Sequence, residues 1–191
     1  TEALTGKSYS ENPVPFQVIA DHIRMLSFSI ADGGMPGNEG RWYVLRRILR
    51  RAARFGRILD QREPFIYNLV ESLGNVMGDI FPEVVEKRSH IEKVIKAEES
   101  SFNDTLDRGL NHFDKVLKNI SGKIISGKEA FRLYDTYGFP LDLTQLMAKE
   151  KGLNVDEKGF IDAMSEQKQR AKAAGKFTAE TKVLEWTVIS E

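Results

Sequence analysis

The stretch GMPGNEGRWYVLRRILRRAARFGR, residues 34 to 57, sets Asn38 and Glu39 among glycines and follows them with seven arginines in 17 positions. Guanidinium forks bind phosphate oxygens bidentately and release counterions, so arginines on one exposed helical face suit a nucleic-acid backbone. The Asn38 amide can both donate to and accept from a base edge. It can equally cap the helix that follows. Glycines 33, 34, 37 and 40 permit positive φ and close approach to a bulky ligand. The loop does not cradle phosphate as a P-loop does, because no Gly-Lys-Ser/Thr follows. A second stretch, LYDTYGFPLDLT at 133 to 144, holds two carboxylates in different settings. Asp142 falls in the first turn of a helix, where the dipole favours it, and that accounts for it structurally. Asp135 falls near a helix end, where the dipole disfavours it; a carboxylate there can accept from an exocyclic amino group and cannot accommodate a carbonyl.

Other chemistries find little support. The chain has no cysteine, which excludes disulfides, thiolate metal sites and a cysteine nucleophile. His22, His90 and His112 share no ligand spacing. No nucleophile elbow stands out, and Glu98-Glu99 reads as solvated surface. No apolar run approaches the roughly 18 residues of a membrane span, and TEALTGKSYS at the start lacks a signal-peptide layout. A soluble intracellular protein is expected. Its zero net charge conceals an asymmetry: residues 41 to 62 hold eight arginines against Asp60 alone, so +7 there is balanced by −7 elsewhere. Acidic neighbours such as Glu98 and Glu99 could pair with that face, which would make it an ordinary amphipathic helix.

Helical spacing dominates the chain, and the expected class is all-α with one long helix and a short strand-like C-terminal tail. A helix over 15–31 runs into Gly33-Gly34. The next spans from just after Asn38 to about Leu59, with Val44, Leu45, Ile48, Leu49, Ala52 and Phe55 on one side. Six of its arginines (46, 47, 50, 51, 54 and 57) fill an arc of about 140° on the other. After a short helix at 64–77, Pro82 opens a long one to about Lys118, with an apolar stripe of Ile91, Ile95, Phe102, Leu106, Phe113 and Val116. Acid-before-base pairs (Glu83–Lys87, Glu92–Lys96, Asp104–Arg108, Asp114–Lys118) are expected to support it. Ser126 and Glu129 have capping-box spacing, Pro140 opens a helix ending at Gly152, and Asp156 can cap a last one to Gly175. VLEWTVIS alternates as a strand, as though another domain began there.

VIADHIRMLSFSIADGG, PGNEGRWYVLRRILRRAARFG and LYDTYGFPLDLT, in that order, resemble the alanyl-tRNA synthetase family, as does IEKVIKAEESSFNDTLDRGL on the long helix. The resemblance extends over nearly the whole chain. It corresponds to the family's middle portion, between the class II catalytic domain and the editing domain. It implies an all-α region that recognises the tRNA acceptor stem, divided as 1–80, 81–176 and 177–191, the last being the start of the editing domain. Asn38 matches the asparagine assigned to the U of a G·U wobble pair, and Asp135 the aspartate assigned to the 2-amino group of its G. Arg41, Arg46, Arg47, Arg50, Arg51 and Arg54 become candidate phosphate contacts that set register without reading sequence. Trp42 stands where the family commonly has glycine, and Gly37 where it has serine. The motifs for ATP and alanine, and the zinc ligands of the editing site, are absent. No catalytic residue, ATP-Mg or zinc is therefore expected here, and this piece should not aminoacylate by itself. The implied partner is tRNA, with no DNA and no membrane, in the cytoplasm or an organelle. The rival reading is a protein-interaction module pairing through the stripe of the long helix 82–118.

Overall fold

A computed structural model describes residues 1–175; the strand expected over VLEWTVIS, and the division at 177–191, lie outside the described residues. After a short α1 (Glu2–Thr5), α2 (Pro13–Ala31) starts with Pro13 at its first turn and buries Phe16, Ile19, Ile23, Leu26 and Ile30 at helical spacing. That face packs on α3 (Gly40–Ile58), whose Leu45, Leu49, Ala52 and Ala53 are buried. Two adjacent alanines let the helices approach closely, which long side chains would prevent. Glu39, in extended conformation, is the residue before α3; Asn38 is not the cap.

A 3₁₀ turn (Ile66–Asn68) leads into α4 (Leu69–Met77), then α5 (Pro82–Glu86) and α6 (Arg88–Asn119). The expected continuous helix from Pro82 is thus broken at Lys87. At the break the Lys87 Nζ donates to the Ala31 carbonyl at 2.6 Å, placing a cation on the C-terminal end of α2. Its expected partner Glu83 therefore loses it, and Lys96 lies over the Tyr67 ring while Glu92 takes Arg88 at 2.6 Å. For Lys87 and Lys96 a tertiary contact replaces the few tenths of a kcal/mol that an exposed i,i+4 pair offers, whereas Glu92 pairs within α6, four residues back instead of four ahead.

The C-terminal part is built on short-range signals. Ser126 Oγ accepts the Glu129 N–H at 3.3 Å and opens α7 (Gly127–Tyr137), which Gly138 closes at φ +72°. Pro140 precedes α8 (Leu141–Glu150), and Asp156 Oδ1 accepts the Gly159 N–H at 2.9 Å to start α9 (Glu157–Gly175). Two parallel two-residue strands, β1 (Ile124–Ile125) and β2 (Asn154–Val155), tie the loops together; neither was anticipated.

One hydrophobic cluster runs from Phe16 through Phe102 to Ala148, crossing the boundary near residue 80. Of the long-helix stripe, Ile91, Ile95, Phe102, Leu106 and Phe113 are buried in it and Val116 packs against it. The face required by the protein-interaction reading is therefore already occupied by the protein's own core.

Candidate nucleic-acid interface

The helical wheel correctly separates the arginines of α3 from its apolar side, but the arginine face is not an open surface. The Arg47 Nε bonds Asp142 Oδ1 at 2.9 Å, and Arg54, itself buried, bonds both carboxylate oxygens of Glu150, one at 2.9 Å. Arg57 lies 3.0 Å from Asp107. Arg50 Nε donates to Glu98 Oε1 at 2.9 Å, its Nη2 lies 2.8 Å from the same oxygen, and its Nη1 donates to the Gly138 carbonyl at 2.6 Å. The Arg46 Nε sits 3.0 Å from the same Glu98 oxygen, off-line for a hydrogen bond, so that contact is ionic. The excess positive charge of one stretch and the acid elsewhere are thus two sides of a seam joining α3 to α6 and α8.

Two arginines stand apart. Arg41 is exposed and lies over the Trp42 ring at 4.4 Å. Arg51 is half-buried and forms no ion pair among the described residues. Its charge reaches His22, whose pKa is lowered first by burial and only in small part by Arg51.

Trp42 and Gly37 explain each other. The Gly37 N–H donates to the Trp42 carbonyl at 3.1 Å, and a Cβ on Gly37 would come within 3.0 Å of the Trp42 Cβ. A serine at 37 would crowd the tryptophan, so the two departures from the family pattern are coupled sterically.

Beyond this turn Asn38 is exposed, and its Oδ1 accepts from Arg46 Nη1. A guanidinium has donors only, so this bond fixes the amide's orientation: the oxygen faces Arg46 and the NH₂ is left to donate. Asn38 lines a cleft of about 630 Å³ with Tyr43 and Arg47 on its side and Tyr134, Asp142 and Gln145 opposite. The Tyr43 hydroxyl is pushed up to about 12, mainly by burial and then by Tyr134, so it stays protonated. Asp135 follows Tyr134 in the last turn of α7; it is exposed and does not line the cleft. The structure therefore brings the Asn38 loop to the helix end carrying Asp135, with the two side chains in different surroundings.

Glu98 and Glu99 correct the reading as solvated surface. Glu98 is only 10 % exposed, and Glu99 is buried, accepting the N–H groups of Phe65 at 3.1 Å and Ile66 at 3.0 Å. The signal was present: both lie three or four residues from Ile95 and from Phe102, hence on the stripe itself, and a carboxylate on a buried stripe requires partners.

A family model described as tRNA synthetases class II (A) matches residues 1–191. The chain belongs to that family. It is 50 % identical over 177 residues to the alanine–tRNA ligase of Streptococcus mutans, covering 90 % of this chain and 20 % of that protein. With the alanine–tRNA ligase of Exiguobacterium sibiricum it shares 52 % over 180 residues, 91 % of this chain and again 20 % of the relative. This class II synthetase chain thus spans about a fifth of the length of the curated relatives it matches.

Proposed function

We propose that the chain is the helical region of an alanine–tRNA ligase that recognises the tRNA acceptor stem, reading a G·U wobble pair so that the whole enzyme attaches alanine to its tRNA with ATP. The observation that carries the reading is the orientation of Asn38. With its oxygen held by Arg46, the amide presents donors, and a uracil carbonyl is an acceptor. The complementary contact falls to Asp135, whose exposed carboxylate accepts from the guanine 2-amino group that a wobble pair leaves free in the minor groove. A–U offers no such donor there, and in G–C one hydrogen of the amino group is committed to cytosine. Near a helix end the shallow groove of A-form RNA is within reach of both.

Arg41 and Arg51 supply the phosphate contacts in this account, because Arg46, Arg47, Arg50 and Arg54 already neutralise carboxylates of the protein. Binding of the chain to an alanine-acceptor RNA hairpin, with the wobble pair intact and with G–C in its place, tests the proposal. The expected preference for G·U is about 1–3 kcal/mol, on top of a salt-dependent affinity common to both hairpins. Equal affinities at every salt concentration would overturn it.

A further inference from the structure

Glu98 sits on the apolar stripe of α6 between Ile95 and Phe102, both buried, and its side chain is 10 % exposed. A carboxylate so placed requires partners, and those of Glu98 are cationic. It has two, and each leads to a different element of the proposed base-reading site. Arg46 contacts Glu98 through Nε at 3.0 Å and donates through Nη1 to Asn38 Oδ1. Arg50 donates to Glu98 through Nε, holds its Nη2 against the same oxygen as an ion pair, and donates through Nη1 to the carbonyl of Gly138, the residue that closes the helix of Asp135. The Arg50 guanidinium also lies over the Phe102 ring at 5.2 Å, so its plane is set from a second direction. A Cβ on Gly138 would come 2.5 Å from Arg50 Nη1, which shows how closely the helix end rests on that arginine.

We propose that Glu98 is a positioning residue for base-pair discrimination: through Arg46 and Arg50 it holds the Asn38 amide and the C-terminal end of α7 in one fixed relation. This role rests on the base-reading assignment of Asn38 and Asp135. It assigns the two arginines to support instead of phosphate binding. A single carboxylate suits the task because it anchors both arms at once, so the two readers cannot drift independently. Glutamine at 98 would keep the shape but remove the charge, leaving two half-buried guanidinium groups against one neutral acceptor.

The test compares wild type, Glu98→Gln and Arg46→Lys in two readouts. One is the ratio of affinities for the G·U and G–C hairpins; the other is the Asn38 side-chain NH₂ resonance of the free protein. Glu98→Gln is expected to lower the ratio about tenfold, the size of one base contact, while the G–C hairpin is bound no more weakly than by wild type. The Asn38 resonance should move toward that of a freely exposed amide. A purely structural role would lower both affinities together and leave the ratio unchanged, which would overturn the proposal. An Asn38 resonance and ratio both unaltered in Glu98→Gln would overturn it as well. If Glu98→Gln fails to fold, Arg46→Lys decides, since an ammonium cannot span Glu98 and Asn38 as the guanidinium fork does; an unchanged ratio there sinks the relay. Equal binding of the two hairpins by wild type would defeat the base-reading assignment itself, and the Asn38 resonance would then separately report whether Glu98 holds the amide.

Discussion

Phe102→Ala is expected to destabilise the chain by about 3–5 kcal/mol, the range for deleting a buried aromatic ring. Phe102 is 1 % exposed and stands edge-on to Phe139 with centroids 5.5 Å apart. Little can collapse into the space it would leave. Phe139 also rests closely on Gly109, where even a methyl group would approach the ring to 2.2 Å. The Arg50 guanidinium on Phe102 is held by Glu98 and Gly138. Urea unfolding measures the effect: the midpoint should fall with an unchanged slope. A loss below about 1 kcal/mol would mean the aromatic pair is loosely packed, and the rigid support ascribed to the α7–α8 turn would fall with it. Phe139 belongs to the same turn as Asp135, so the residual fold should also discriminate poorly between hairpins.

The second large effect concerns pH. Burial pushes the Glu99 carboxyl up to about 7, against the opposing pull of the Phe65 and Ile66 amides and of Arg57. In the unfolded chain the same group titrates near 4.5. Between those values the folded state holds a proton that the unfolded state has released, so stability declines as pH rises. The contribution of Glu99 is therefore fully present below about pH 4.5, is lost progressively up to about 7, and amounts to about 3 kcal/mol. The informative quantity is the difference between wild type and a variant that cannot ionise at this position. Glu99→Gln should be less pH-sensitive than wild type over pH 5 to 8, the two unfolding curves converging at low pH in wild type's favour. Parallel profiles would show that Glu99 ionises freely in the fold.

Much of the architecture was legible because its determinants are local. Ser126 with Glu129, Gly138 after Tyr137 and Asp156 before Glu157 each place a helix end within four residues of sequence, and the structure uses all three. What was not legible depends on contacts between distant elements. The break at Lys87 coincides with a side-chain bond to the Ala31 carbonyl, which nothing near Lys87 announces. The wheel shows that the arginines of α3 share a face, but the carboxylates opposite come from α6 and α8, and only the fold says that Asp142 and Glu150 meet Arg47 and Arg54. Glu98 and Glu99 are the instructive case, because their position on the stripe marks them as buried although their type suggests surface. The site divides the same way. Asn38 and Asp135 stand out by residue type and setting, whereas the orientation of the Asn38 amide follows from Arg46, whose role spacing alone does not distinguish from that of Arg51.

The most direct test is a double-mutant cycle between Asp135 and the guanine amino group. Wild type and Asp135→Ala would each be titrated with the wobble hairpin and with one in which inosine, which lacks only the 2-amino group, replaces that guanine. Loss of the amino group should cost wild type about 1–3 kcal/mol and cost Asp135→Ala nothing, so that the coupling equals the whole penalty. Penalties that simply add, with the inosine hairpin equally disfavoured by both proteins, would place recognition of the amino group elsewhere and contradict the assignment of Asp135.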